Sequence, residues 1–304
     1  MDVKTKPLFY RTAEMMCGLL CLLISQTVLA EPVKQSVLHP AGLLWKIHKA
    51  GQHDSYLFGT IHISDSRVME LLDVVQPSLQ SSELFAMEVL LDDSAMQAIS
   101  AASFFEHGER LQNYIEKPVY NRILSIMNQY YAIPPVLVNK MKPWAVMATI
   151  SSPPPESNRA VLDVELQNTA DELQHPVVAL ETVEEQIEAL SGLAMSEQIW
   201  ILNKAVEDFE KSMGLWEQMI EYYLHRNLQA LVDIQQSMMD DSSTIDDRFM
   251  EKLLDQRNIK MAARLYAIMK NKSVFAAIGA LHLPGEKGVL HLLEKEGYKI
   301  ERLY

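Results

Sequence analysis

Two histidines stand where chemistry is expected. His62 closes Tyr56-Leu57-Phe58-Gly59-Thr60-Ile61-His62, and His282 closes the run Val274 to Gly279 followed by Ala280-Leu281-His282, with Pro284-Gly285 just beyond. In each segment an apolar stretch ends in glycine and the imidazole follows three residues later. Glycine suits a backbone that turns sharply off a strand or lies close to a ligand, because it carries no Cβ. One Gly-x-x-His arises readily in a chain with nine histidines and eleven glycines, but two copies at the ends of apolar runs form a more specific pattern. A third candidate, Glu88, interrupts the apolar run Leu84 to Leu91. A carboxylate there is costly to bury unpaired, so it faces solvent or has a charged or metallic partner. Two imidazoles and one carboxylate make a facial set for a divalent cation with positions left open for water. Glu181 follows another short apolar run, Pro176 to Leu180.

Arg257 is the fourth clue. In the predicted helix 246–269, Phe249, Leu253, Met261, Leu265 and Ile268 recur at helical spacing, and Arg257 fills the gap in their stripe. An inward guanidinium needs a carboxylate or a bound oxyanion. It can therefore be a structural salt bridge, or a group that orients Glu88 or stabilises a transition-state oxyanion.

The usual competing chemistries lack support. No glycine pattern fits a nucleophile elbow, a phosphate-binding loop or a dinucleotide fingerprint, and no His-Glu-x-x-His helix occurs. The net charge of −13 argues against nucleic acid and against docking on an anionic membrane surface. Residues 1–30 read as a secretory signal peptide: Lys4, Lys6 and Arg11 precede the uncharged apolar stretch Met15 to Leu29, and Val28-Leu29-Ala30 offers a cleavage site. Export to the periplasm, or secretion, is the expectation, with no stable membrane insertion after cleavage; an uncleaved anchor is the alternative reading of the same segment. Both cysteines, Cys17 and Cys21, lie in that segment, so any metal in the mature chain must be held by His, Asp or Glu.

The elements that must position these groups follow from periodicity and turn residues. Leu43 to Ile47 and Tyr56 to Phe58 flank the turn Gly51-Gln52-His53-Asp54 as a hairpin. A helix capped by Asp65 or Ser66 follows, then a strand over 84–91. Residues 95–160 read as mostly helical, with a loop beginning at Ser151. A helix over 163–173 leads into strand 176–180. Residues 184–270 carry three or four helices broken near Gly214, Asn227 and Asp240-Asp241. Strand 274–279, helix 286–296 and strand 298–303 close the chain. Strands separated by helices predict an α/β fold with a central mixed, largely parallel sheet flanked by helices. Helical insertions at about 95–160 and 184–270 form a cap, and 31–304 makes one domain. Parallel pairing would bring His62, Glu88, Glu181 and His282 to one edge of the sheet, where α/β proteins bind ligands.

These residues and several short stretches resemble the TraB/PrgY/GumN family, with its Tiki-like metalloprotease relatives. The matching stretches are Tyr56 to His62, Ala86-Met87-Glu88-Val89, Lys142-Pro143-Trp144, Ala179-Leu180-Glu181-Thr182 with Gln186, Arg257-Asn258 with Met261, and Gly279 to Gly285. They run in the family's order over nearly the whole mature chain. The resemblance implies a core like that of the erythromycin-esterase and ChaN-like group. It also implies metal-dependent hydrolysis of a peptide or protein, with manganese or cobalt favoured and zinc as the alternative. Carried over, it nominates His62, His282 and Glu88 as ligands, Glu88 being either ligand or general base, with Arg257 and Asn258 in the catalytic set and Asp163 beside them. Val161 stands where the family often has glycine, two residues before Asp163, and Ala280-Leu281 replaces a more usual glycine-containing pair. A metal-independent esterase-like hydrolase with His62 as general base, and a protein that captures peptide without cutting it, are the alternatives.

Overall fold

The computed structural model describes residues 36–304 other than 91, 155–160 and 240–242; the expected signal peptide lies outside them. Six strands, β1 (Leu44–His48), β2 (Ser55–Thr60), β3 (Leu84–Met87), β4 (Val177–Ala179), β5 (Val274–Gly279) and β6 (Lys299–Arg302), form one mixed sheet in the order β4-β3-β5-β2-β1-β6. The hairpin β1–β2 and the β1–β6 pair are antiparallel, while β2, β5, β3 and β4 run parallel to one another. Gly51 makes the hairpin turn at a φ of +80°, where a side chain would strain the backbone. β3 and β5 are buried at every position, which explains why their sequences read as continuous apolar runs without alternation. The run at 84–91 therefore gives a shorter strand than the sequence suggests. It ends at Met87, and Glu88 lies just beyond it.

The helices are α1 (Ser66–Met69), α2 (Leu71–Gln80), α3 (Asp93–Ser103), α4 (Lys117–Tyr131), α5 (Pro135–Val138), α6 (Pro143–Ile150), α7 (Leu162–Glu172), α8 (Val183–Ser191), α9 (Met195–Glu207), α10 (Phe209–Leu224), α11 (Leu228–Ser237), α12 (Thr244–Met250), α13 (Gln256–Met269) and α14 (Val289–Lys295). Asp65 caps α1 by accepting from the Arg67 amide, as its side chain and position predict. The stretch 184–270 is cut more finely than the sequence suggests, because helix ends that pack against neighbours need no glycine or proline to stop them. Gly214 lies inside α10, and the break falls at Asp208 instead.

Two apolar cores result. One joins the sheet to α2, α7, α10, α11, α13 and α14 through residues such as Phe58, Phe275, Leu166, Tyr223 and Leu265. The other is purely helical and centres on α6, all eight residues of which are buried, with Trp144 the largest. Proline at the first position of α6 sits where its missing N–H costs nothing. The second core draws on α3, α4, α8, α9 and α12, so of the two expected insertions the first contributes nearly whole and the second is divided. A π-helical turn, Glu251–Asp255, joins α12 to α13. It shifts the phase of the helix, so the Phe249–Leu253 half of the stripe enters the helical core and the Met261–Leu265 half enters the sheet core. Arg257 sits at the crossing point.

Candidate functional site

The four parallel strands deliver their following residues to one edge: Glu181 after β4, Glu88 after β3, Gly279 to His282 after β5, and His62 after β2. Neighbouring strand ends are stitched by backbone bonds, Leu180 N–H to the Met87 carbonyl and Glu181 N–H to the Glu88 carbonyl, both 2.7 Å.

Glu88 turns under the end of β5. Its Oε1 accepts from the Gly279 N–H at 2.6 Å, and its Oε2 accepts from Arg257 Nη2 at 2.7 Å and, weakly, from Gln186 Nε2 at 3.5 Å. A Cβ at Gly279 would lie 3.1 Å from Glu88 Oε1 and 3.5 Å from the His282 ring, so glycine is what lets carboxylate, backbone and imidazole converge. Gly59 serves a matching purpose, since a Cβ there would come within 2.8 Å of the Leu283 side chain. Burial opposes the ionised form of Glu88, but Arg257, helped by the two histidines and the Gly279 amide, outweighs it and holds the carboxyl down at about 2.

Arg257 is 7% exposed and bridges the two carboxylates. Its Nη2 also donates to Glu181 Oε2 at 2.6 Å, its Nε to the same oxygen at 2.9 Å, and its Nη1 to the Leu253 carbonyl in the π turn at 3.2 Å. Two buried carboxylates against one guanidinium leave an excess negative charge or a proton on Glu181, whose pKa burial raises.

The two histidines are oriented by different partners. His282 lies in a 3₁₀ turn, Ala280–His282, and is fully buried. Its Nδ1 meets Asn258 Oδ1 at 2.5 Å, while Asn258 Nδ2 donates to the Lys287 carbonyl at 2.9 Å. Because that carbonyl only accepts, the amide orientation is fixed, and His282 must carry its proton on Nδ1. Burial, helped by the positive charge of Arg257, drives the His282 pKa down to about 3 against the pull of Glu88. Nε2 is therefore a bare lone pair. It has no hydrogen-bond partner among the described residues and faces Glu88 Oε1 at 3.8 Å. His62 Nδ1 pairs with Asp163 Oδ2 at 2.8 Å, and Thr60 Oγ1 donates to Asp163 Oδ1 at 2.7 Å. Burial disfavours the imidazolium, yet Asp163 overcomes it and raises the His62 pKa to about 9. With Nδ1 held, Nε2 is the nitrogen left to act.

The geometry thus brings two groups to this edge: Glu88, Arg257, Glu181, His282 and Asn258 in one, and His62 with Asp163 and Thr60 in the other. Asn258 and Arg257 spend their polar atoms on the His282, Glu88 and Glu181 side chains and on the Lys287 and Leu253 carbonyls. Sequence reasoning had Asp163 only as a secondary candidate and missed Thr60, whose place inside the His62 segment was its only signal, and Tyr223. The Tyr223 hydroxyl donates to the Gly59 carbonyl at 2.8 Å and pins α10 to the strand end; nothing in its surroundings in sequence marks it.

Among the described residues no three His, Cys, Asp or Glu side chains are already gathered as a cation cage. The donors nonetheless suit one. Each histidine is held at Nδ1 by an acceptor, an arrangement that leaves Nε2 as ligand, and the His282 Nε2, unpartnered among the described residues, faces the Glu88 carboxylate at 3.8 Å. A small apolar cleft opens beside His62, lined by Ile61, Ile63, Pro153, Trp216, Met219 and Leu231.

The fold and this edge of the sheet define an α/β protein of the TraB/PrgY/gumN family, to which the chain belongs; the family pattern matches residues 43–302. Among its relatives are Metalloprotease TIKI2 of Danio rerio, 25% identical over 89% of this chain and 62% of the relative, and Metalloprotease TIKI1 of Homo sapiens, 25% identical over 85% and 61%. The Uncharacterized protein YbaP of Shigella flexneri is 24% identical over 80% of this chain and 89% of its own length. The chain therefore spans about three fifths of the TIKI proteins it matches and is their distant relative.

Proposed function

We propose that this chain is an exported, periplasmic or secreted, metal-dependent hydrolase that cuts peptides. The observation that carries the reading is the buried His282 Nε2, without a hydrogen-bond partner among the described residues, facing Glu88 Oε1 at 3.8 Å. The metalloprotease relatives support it. His62, His282 and Glu88 would hold a divalent cation, manganese or cobalt by the family resemblance, with zinc as the alternative. When bound, the cation supplies Lewis acidity to a peptide carbonyl and to water. Glu88 suits the role of ligand better than base, because Gly279 and Arg257 already fix both its oxygens and leave Oε1 turned towards His282. Arg257 and Asn258 act as positioning residues: the first holds Glu88 ionised, the second sets the His282 tautomer. Asp163 orients His62, the more exposed of the pair, at the mouth of the cleft.

The test is a peptide-library cleavage profile of the mature protein with manganese, cobalt or zinc, repeated after exhaustive chelation. Metal-restored cleavage, lost in His62→Ala and His282→Ala, is expected; unchanged cleavage after chelation would contradict it. That second outcome would favour a metal-independent hydrolase, a reading supported by the His62–Asp163 pair, which has the layout of a general base and its orienting carboxylate.

A further inference from the structure

Thr60 is the last residue of β2 and is buried. In the parallel β2–β5 register it stands opposite Gly279, and that one rung of the sheet touches both halves of the site. From Gly279 the backbone N–H reaches Glu88 Oε1 at 2.6 Å; from Thr60 the hydroxyl reaches Asp163 Oδ1 at 2.7 Å. Asp163, buried as well, spends its other oxygen on His62 Nδ1 at 2.8 Å. Its carboxylate is thus gripped on both oxygens by residues two apart in one segment, the strand end and the imidazole beyond it.

The second grip has a physical purpose. The last torsion of an aspartate is broad and two-fold, so an imidazole on one oxygen does not by itself fix the carboxylate plane. The start of α7 offers no help, since Val161 stands at its cap position and makes no side-chain capping bond. A bond to Oδ1 removes the remaining freedom. Threonine suits the task, because branching at Cβ leaves χ1 few positions and the strand register sets where the hydroxyl begins. Any acceptor would satisfy a buried hydroxyl. Thr149 and Thr169 use backbone carbonyls four residues back in their own helices, whereas Thr60 uses the carboxylate that backs His62.

We infer that Thr60 is a positioning residue: by fixing the plane of the Asp163 carboxylate it sets the orientation of the His62 ring, and with it the point at which Nε2 is presented. The inference rests on the reading of His62 as a ligand and deepens it by adding a residue that acts on that ligand only through another.

Two measurements keep the inference separable from that reading. The first needs no metal. In the metal-free mature chain at neutral pH, the His62 Nδ1 proton, held by Asp163, should give a low-field nuclear magnetic resonance signal. Thr60→Ser should keep it. Thr60→Val, which matches threonine in shape but cannot donate, should lose it to exchange with water; Thr60→Ala takes its place should the valine unfold the chain. The second measurement titrates manganese calorimetrically. Thr60→Val should weaken binding about 10-fold, the low end of what outer partners of a metal ligand contribute, and Thr60→Ser should restore most of it. In an Asp163→Ala background the same Thr60→Val change should alter affinity by less than about twofold, because no carboxylate is left to orient. A threonine that served the strand alone would cost the same in both backgrounds. Loss of the signal in Thr60→Val with no manganese bound by any form upholds the positioning role and sinks the cation reading. A signal absent from the parent or unchanged in Thr60→Val, failure of serine to rescue, or an equal loss of affinity in both backgrounds overturns the inference.

Discussion

The two Gly-x-x-His segments have the same spacing and end neighbouring parallel strands, yet they place their imidazoles in opposite electrostatic states. His62 is backed by a carboxylate, Asp163, and its pKa rises to about 9. His282 is backed by a neutral amide, Asn258, and burial, aided by the Arg257 charge, drives its pKa down to about 3. At neutral pH the His62 ring holds a second proton, while the His282 ring offers a lone pair. The difference teaches that a repeated motif fixes where a side chain starts, while the residue that meets its Nδ1 decides what that side chain can do. At a shared cation, His282 would bind without losing a proton, and His62 would have to release one.

Both rings depend on the buried charges beside them, so the largest disturbance should come from Arg257. Replacing it with Met strands Glu88 and Glu181 without their cation and should cost about 3–5 kcal/mol of stability by urea denaturation. Adding Glu181→Gln to that variant should recover part of the loss. A single variant as stable as the parent would show that the bridge is not what balances the site.

Exchanging the backing groups tests the comparison itself. Asp163→Asn should drop the His62 pKa from about 9 to below its ordinary value of 6.5, since burial, helped by Arg257, is then opposed by Glu88 alone. Asn258→Asp should raise that of His282 from about 3. Imidazole chemical shifts in the metal-free protein read both, and a His62 titration unmoved by Asp163→Asn would remove the carboxylate as the cause.

The pH dependence of stability in the metal-free protein should show the same contrast. For His62, whose folded pKa is raised, the contribution is complete below its unfolded value of 6.5 and is lost as pH climbs through about 9. For His282, whose folded pKa is depressed, the contribution is present above 6.5 and is lost as pH falls towards about 3. Asp163→Asn should flatten the alkaline limb and, by lowering the His62 pKa, steepen the acid one, whereas His282→Gln should ease the acid limb alone. The smallest effect is expected at Tyr223→Phe, which removes the bond to the Gly59 carbonyl and should cost about 1 kcal/mol.

Much of this edge was legible in the sequence because strand ends were. Apolar runs ending at Gly59 and Gly279 and those over 84–91 and 176–180 predict strands, parallel pairing aligns their ends, and His62, Glu88, Glu181 and His282 fall at that edge. The inward turn of Arg257 was legible for the same kind of reason, as a charge in an apolar stripe. The pairing of His62 with Asp163 was not, because it depends on how α7 packs across 101 residues of chain, and no local pattern records that. Nor was the π turn at Glu251–Asp255, which divides one stripe between two cores: a single residue of phase leaves every apolar position plausible in sequence. Tyr223 escaped because a tyrosine on an amphipathic helix has many possible partners, and only the tertiary fold selects Gly59.

The central claim is that two differently tuned histidines and Glu88 serve one cation. Its most direct test is metal analysis of the mature protein, purified without chelator or affinity histidines and loaded with manganese, beside His62→Ala and His282→Ala. One ion per chain in the parent and none in either variant is the expected result. Full stoichiometry in either variant, or no ion in the parent with any of manganese, cobalt and zinc, would contradict it.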